Sequence, residues 1–251
     1  MEGKQLDIGG VIGRVFSVYG DQASVWVPVS ALIIGLPAIL AVVLERSSNL
    51  GLAFLATVVG FVAQFVFTGM VVELVDAVEK GQDHPDAGRL LRSVIPVLGS
   101  LIVVSLVAGI ATVIGFVFFI VPGLILITVW AVFAPIIVLE RPGGLKSLSM
   151  SRAMVRGHAW QVFGVLVLLF ILVFIVSLVI GLIGFAVSTA VGIVVTVVFR
   201  VLLAPVSALA AAVMYFKLKA LGGPRGGLEP FEPIAVPPAG IHEDPPTDRD
   251  Y

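Results

Sequence analysis

The residues able to do chemistry in this chain are few and scattered. Its three histidines, His84, His158 and His242, stand too far apart for a metal-ligand cluster, and there is no cysteine to act as nucleophile, thiolate ligand or disulfide partner. No phosphate-binding glycine loop, nucleophile elbow, HExxH helix or pair of catalytic carboxylates occurs. These residues point to a protein that is not an enzyme, uses no cofactor or metal and has no nucleic-acid partner. One side chain stands apart: Arg200, inside the apolar run Val191–Phe216. Nine steps of about 1.5 Å put it roughly 14 Å into a hydrocarbon layer about 30 Å thick, where inserting an arginine costs about 2.5–3.5 kcal/mol. It therefore calls for a partner or a polar cavity. Glu45, Gln64 and the Val201 carbonyl, released from helical bonding by Pro205, are the candidates for an intramembrane polar contact. A structural contact is taken ahead of a substrate site, and snorkelling to the outer surface is the alternative.

The elements that must position Arg200 follow from charge-free runs. Between Arg92 and Glu140 lie 47 consecutive uncharged residues, interrupted only by the FIVPG stretch at Phe119–Gly123. A crossing takes about 20 apolar residues, so this run crosses, turns and crosses back. The same rule gives six spans, at about 24–44, 50–75, 94–118, 122–139, 160–187 and 191–216. The composition agrees: 59% of residues are hydrophobic, 12% are charged, and the mean hydropathy is +1.15. The expected fold is all-α, a polytopic integral membrane helical bundle with cytoplasmic interfacial helices, formed by residues 1–221. Glu45, Glu73 and Glu140 fall at span ends, where interfacial water solvates them. Nothing at the N-terminus resembles a signal peptide, so the first span is expected to be retained.

Thirteen of the fifteen lysines and arginines fall in the N-terminal segment, the second and fourth loops and the tail; only Arg46 and Arg200 do not. Cytoplasmic loops retain such cations, so both termini are expected in the cytoplasm. A Gly- and Arg-containing segment precedes each membrane hairpin, at Ile8–Tyr19, Asp86–Ser93 and Leu145–His158, with hairpin starts about 70 and 66 residues apart, a weak sign of a threefold repeat. In the first segment Ile8, Val11, Ile12, Val15, Phe16 and Tyr19 form one helical stripe over 8–19. It either lies on the inner leaflet or packs on the ends of the spans, and the two readings are compatible. Small residues four apart, Ala56/Gly60, Ser105/Gly109, Ala111/Gly115, Ser177/Gly181 and Ala204/Ala208/Ala212, allow close helix approach. Prolines inside the spans (Pro28, Pro37, Pro96, Pro122, Pro135 and Pro205) are read first as structural kinks. Residues 222–251 hold seven of the fifteen prolines and six acidic residues, the composition of a disordered cytoplasmic tail that is inert or binds protein partners.

Around the fourth and fifth spans Pro122–Gly123, Trp130, Ala134–Pro135 and Glu140 lead into Ser151, Met154, Arg156–Gly157, Trp160 and Gly164. With the opening Tyr19–Gly20 and the ending Pro205 to Tyr215–Phe216, this order resembles the six-helix membrane domain attached to some bacterial glycerophosphodiester phosphodiesterases and the related YciC-like inner-membrane proteins, over about residues 6–220. The resemblance implies a bacterial inner-membrane protein. The catalytic half of the phosphodiesterases and its metal-binding His/Glu/Asp cluster have no counterpart here, so that activity is not implied. Lys217 and Lys219 stand where the usual ending has acidic and arginine residues.

Two functions remain in view, both with membrane lipids as partners. The first is a non-enzymatic scaffold or envelope-homeostasis protein; the alternative is a carrier of a lipid or small amphiphile. Few polar groups fall within the spans, which favours the scaffold, because a polar substrate needs converging hydrogen-bond partners. A continuous cavity reaching Arg200 discriminates the two.

Overall fold

The computed structural model describes residues 6–45, 49–82, 86–186 and 189–222. The acidic tail from 223 onward and Arg46 lie outside this range, as do 187–188 and 83–85, with His84. Ten α-helices make up the described chain, with no strand among its residues. They are α1 (Ile8–Asp21), α2 (Ala23–Ser30), α3 (Leu36–Glu45), α4 (Leu50–Glu79), α5 (Ala87–Phe118), α6 (Ile120–Val129), α7 (Phe133–Leu139), α8 (Lys146–Val155), α9 (Ala159–Ala186) and α10 (Thr189–Ala220).

Six stretches are long and apolar enough to cross a membrane: Ala23–Ala41, Phe54–Glu79, Ala87–Phe118, Ile120–Leu139, Ala159–Leu182 and Val194–Ala220. The protein is an all-α, multi-pass membrane bundle. Lipid tails are as apolar as leucine, so packing and polar contacts hold such a bundle together rather than transfer out of water.

Two of the spans are broken where the sequence reading treats them as continuous. The first passes through a π-helical turn, Ala31–Gly35, set between Pro28 and Pro37. The fourth is interrupted between α6 and α7, just before Pro135, whose missing N–H leaves an upstream carbonyl without its helical donor. The break exposes the Val129 carbonyl, and the buried Ser151 hydroxyl of α8 donates to it at 2.9 Å. Pro122, by contrast, sits in the first turn of α6, where its missing N–H costs nothing.

The three Gly- and Arg-containing segments are not equivalent. Ile8–Tyr19 is most of α1 and Leu145–His158 contains α8, but Asp86–Ser93 is the cap and opening turns of α5 itself, Asp86 accepting from the Arg89 N–H at 3.0 Å. Gly157, at φ +94°, makes the left-handed turn from α8 into α9.

The stripe on α1 turns into the bundle. Val11, Val15 and Val18 are fully buried against α10 and the start of α9, and the Ile8 side chain reaches Gly164. At its far end the Tyr19 hydroxyl donates to the Leu202 carbonyl at 3.0 Å, and Trp26 Nε1 donates to the Tyr19 carbonyl at 2.9 Å. Phe16 alone of the stripe is exposed.

Charged side chains gather at one end of the bundle. There Arg14 pairs with Glu79 at 2.9 Å, joining α1 to α4. Arg141, in the left-handed region at φ +50°, donates to the carbonyls of Val138 and Ser93. The tight core occupies the same half, centred on Phe67, Leu101, Ile136, Leu209 and Tyr215. Towards the other end exposed apolar side chains dominate, as at Val117–Val121 on the α5–α6 turn and Phe170–Leu182 on α9.

Candidate functional site

In the half of the bundle away from the charged end, helices α3, α4, α9 and α10 surround a cavity of about 700 Å³. Arg200 and Gln64 both line it, with Thr57, Ser177 and Thr196 as the other polar side chains. Its apolar wall includes Ile34 of the π turn, Pro37, Ile180, Phe199 and Leu203. This volume lies within the range of pockets that hold small ligands, about 300–1,000 Å³.

Local sequence explains the space. At Gly35 the first span closes on α10: a Cβ there would lie 3.2 Å from the Val201 side chain. Beyond that contact the facing residues are Ala38, Ala41, Ala56, Gly60 and Gly181, too small to fill the gap. A Cβ added to Gly60 or Gly181 would meet nothing within 4 Å. The pairs Ala56/Gly60 and Ser177/Gly181 therefore border a void, although their spacing reads as a close-packing motif. Gly115 does mark a close approach, since a Cβ there would lie 3.1 Å from the Gly123 amide. The π turn adds a wide, irregular stretch of backbone beside the cavity, a feature that recurs at functional sites.

Of the three residues singled out for a polar contact, the structure brings two to one cavity. Arg200 and Gln64 do not bond each other, and neither side chain has a hydrogen bond or ion pair with a described residue; both are exposed to the open space. The Val201 carbonyl accepts nothing from Arg200; it is the next carbonyl, of Leu202, that takes an outside donor, Tyr19. Glu45 ends α3, and its side chain lies outside the described residues. Thr196 spends its hydroxyl on the Gly192 carbonyl of its own helix at 2.8 Å. Arg200 thus faces a space offering it an amide and a Ser177 hydroxyl without a partner among the described residues.

A second polar group lies at the charged end, and here the expectation of solvated glutamates is corrected for Glu140. Its side chain is only 8% exposed. The fully buried Tyr215 donates its hydroxyl to Glu140 Oε1 at 2.6 Å; Lys219 Nζ donates to that hydroxyl at 2.8 Å and lies 3.3 Å from the same carboxylate oxygen. Glu140 Oε2 has no hydrogen-bond partner among the described residues. No local pattern pairs residues 75 apart, so the only sequence signal was that both belong to the motif order of the fourth and last spans. Nearby, Glu73, Asp76, Lys80, Arg89, Ser93 and Arg141 line a recess of about 190 Å³ in which two carboxylates meet three cations, with Asp76 and Lys80 directly paired.

Among the described residues no group of three His, Asp or Glu side chains could hold a metal ion. The chain matches no family model, no curated protein and no solved structure.

Proposed function

We propose that this is a non-enzymatic protein of the bacterial inner membrane, with both termini cytoplasmic, that carries a lipid or small amphiphile in the cavity at Arg200. The observation that carries the reading is an arginine without a partner among the described residues, opening with Gln64 into a space of about 700 Å³. A scaffold alone gives no reason to hold such a charge at this depth beside an unfilled volume, given its cost in hydrocarbon. A carrier does, because its cargo completes the pairing. The described lining offers Arg200 as its one ionisable group, which suits holding an anion and not acid–base chemistry. The gathering of cations at one end supports the cytoplasmic placement of that end.

Native mass spectrometry of lipid retained by the full chain in mild detergent tests the reading. Wild type is expected to retain amphiphile, and Gly181→Phe, which grows a ring into open space, is expected to lose it. Gly109→Phe is the control, because Gly109 also has open space but lies on the exposed face of α5. Equal retention by all three proteins contradicts the carrier reading.

A further inference from the structure

We infer that the cavity selects an anionic lipid over a zwitterionic one and takes it laterally, through the gap between α3 and α9, in the half of the membrane opposite the charged end. The inference rests on the carrier reading and adds to it the head-group chemistry, the entry route and the side.

The head-group chemistry follows from the free hydrogen-bonding groups. Arg200 supplies a planar fork of N–H donors, matched to the paired oxygens of a phosphate or carboxylate. Gln64 adds an amide and Ser177 a hydroxyl, while Thr196 is already committed to its own backbone. No carboxylate is among the described lining residues. A phosphate therefore finds charge-assisted donors, whereas the ammonium of a zwitterionic head group meets a like charge and no anion. The discrimination is repulsive as well as attractive.

The route follows from packing. α3 packs on α4, and α9 packs on α10, so the cavity lies between two helix pairs whose outer members face each other across it. The exposed faces of these two helices, beside the lining positions, are apolar: Leu36, Ile39 and Leu40 on α3, and Leu178, Val179 and Leu182 on α9. Acyl chains pass such apolar faces without desolvating a polar group, whereas a water-soluble anion would have to enter through hydrocarbon. The side follows because the lining residues come from the far halves of α4, α9 and α10, away from the end that holds Glu79, Arg89, Arg141 and Lys219. The occupant is thus a membrane lipid and not a free anion.

The test uses the purified full chain, titrated in detergent with phosphatidylglycerol, phosphatidylcholine and inorganic phosphate and read by native mass spectrometry. A charge-assisted contact at Arg200 predicts roughly tenfold or greater preference for phosphatidylglycerol over phosphatidylcholine. Arg200→Gln should remove that preference by weakening phosphatidylglycerol binding more than phosphatidylcholine binding, Arg200→Lys should restore part of it, and Gly181→Phe should reduce binding of both lipids. Monodisperse elution of each variant guards against misfolding. Equal affinity of wild type for the two lipids, both lost in Gly181→Phe, overturns the charge selection and leaves the carrier reading standing. No binding of either lipid overturns both. Full displacement of phosphatidylglycerol by inorganic phosphate overturns the lipid as occupant.

Discussion

Replacing Tyr215 by phenylalanine keeps the ring and its packing and removes one hydroxyl. That hydroxyl is the shortest contact of Glu140, at 2.6 Å, and a hydrogen bond to a charged acceptor contributes about 1.5–3 kcal/mol. The loss falls on a carboxylate that is 8% exposed and whose other oxygen is already without a partner among the described residues, so water is poorly placed to replace it. Lys219 lies farther off, at 3.3 Å, and is 43% exposed, so its pairing is screened and compensates little. A loss of about 2 kcal/mol follows, which at roughly 2–4 °C per kcal/mol for a chain of this size lowers the melting temperature by several degrees. The assay is thermal unfolding in detergent of Tyr215→Phe, Glu140→Gln and the double variant. The residues are in direct contact, so the double variant should lose less than the sum of the singles. Additive losses, or a Tyr215→Phe protein that melts with wild type, would refute the idea that this bond ties α7 to α10.

Arg200→Leu should melt at or above the wild-type temperature, because it removes a charge that has no partner among the described residues and whose insertion costs about 2.5–3.5 kcal/mol; a fall of several degrees would show a structural pair instead. Ser151→Ala leaves the Val129 carbonyl unbonded at the break in the fourth span and should cost about 1–3 kcal/mol, read as a lower melting temperature, whereas Ser149→Ala, on the exposed face of α8, should change little. The chain has no cysteine, so single-cysteine scanning is clean. Cysteines replacing Ser48 and Thr189 should react with an impermeant reagent on intact cells, and those replacing Ser93, Ser149 and Thr247 only after lysis. Labelling at Ser149 from outside would reverse the orientation.

The spans were legible because an ionised side chain is costly in hydrocarbon, so charge-free length alone marks them. Arg200 was legible for the same reason, as the exception. What surrounds it was not. Whether Ala56/Gly60 and Ser177/Gly181 meet another backbone or an empty volume depends on which helix stands across from them, and four-residue spacing carries no such information. The same spacing at Ala111/Gly115 does mark a contact, with Gly123. Pro135 signalled a perturbed helix, but that the helix breaks before it, with Ser151 satisfying a carbonyl there, depends on a helix that follows in sequence. Glu140 looked solvated because it ends an apolar run; its burial comes from Tyr215, 75 residues away.

Photo-crosslinking in native membranes tests the central claim most directly, with a photoreactive side chain at Gly60, in the cavity, or at Gly109, on the exposed face of α5. The account predicts an anionic-lipid adduct at Gly60 that falls sharply when Arg200→Gln is added, while the Gly109 adducts mirror the bulk lipid and do not change. The same lipid mixture at both positions, indifferent to Arg200, would contradict it.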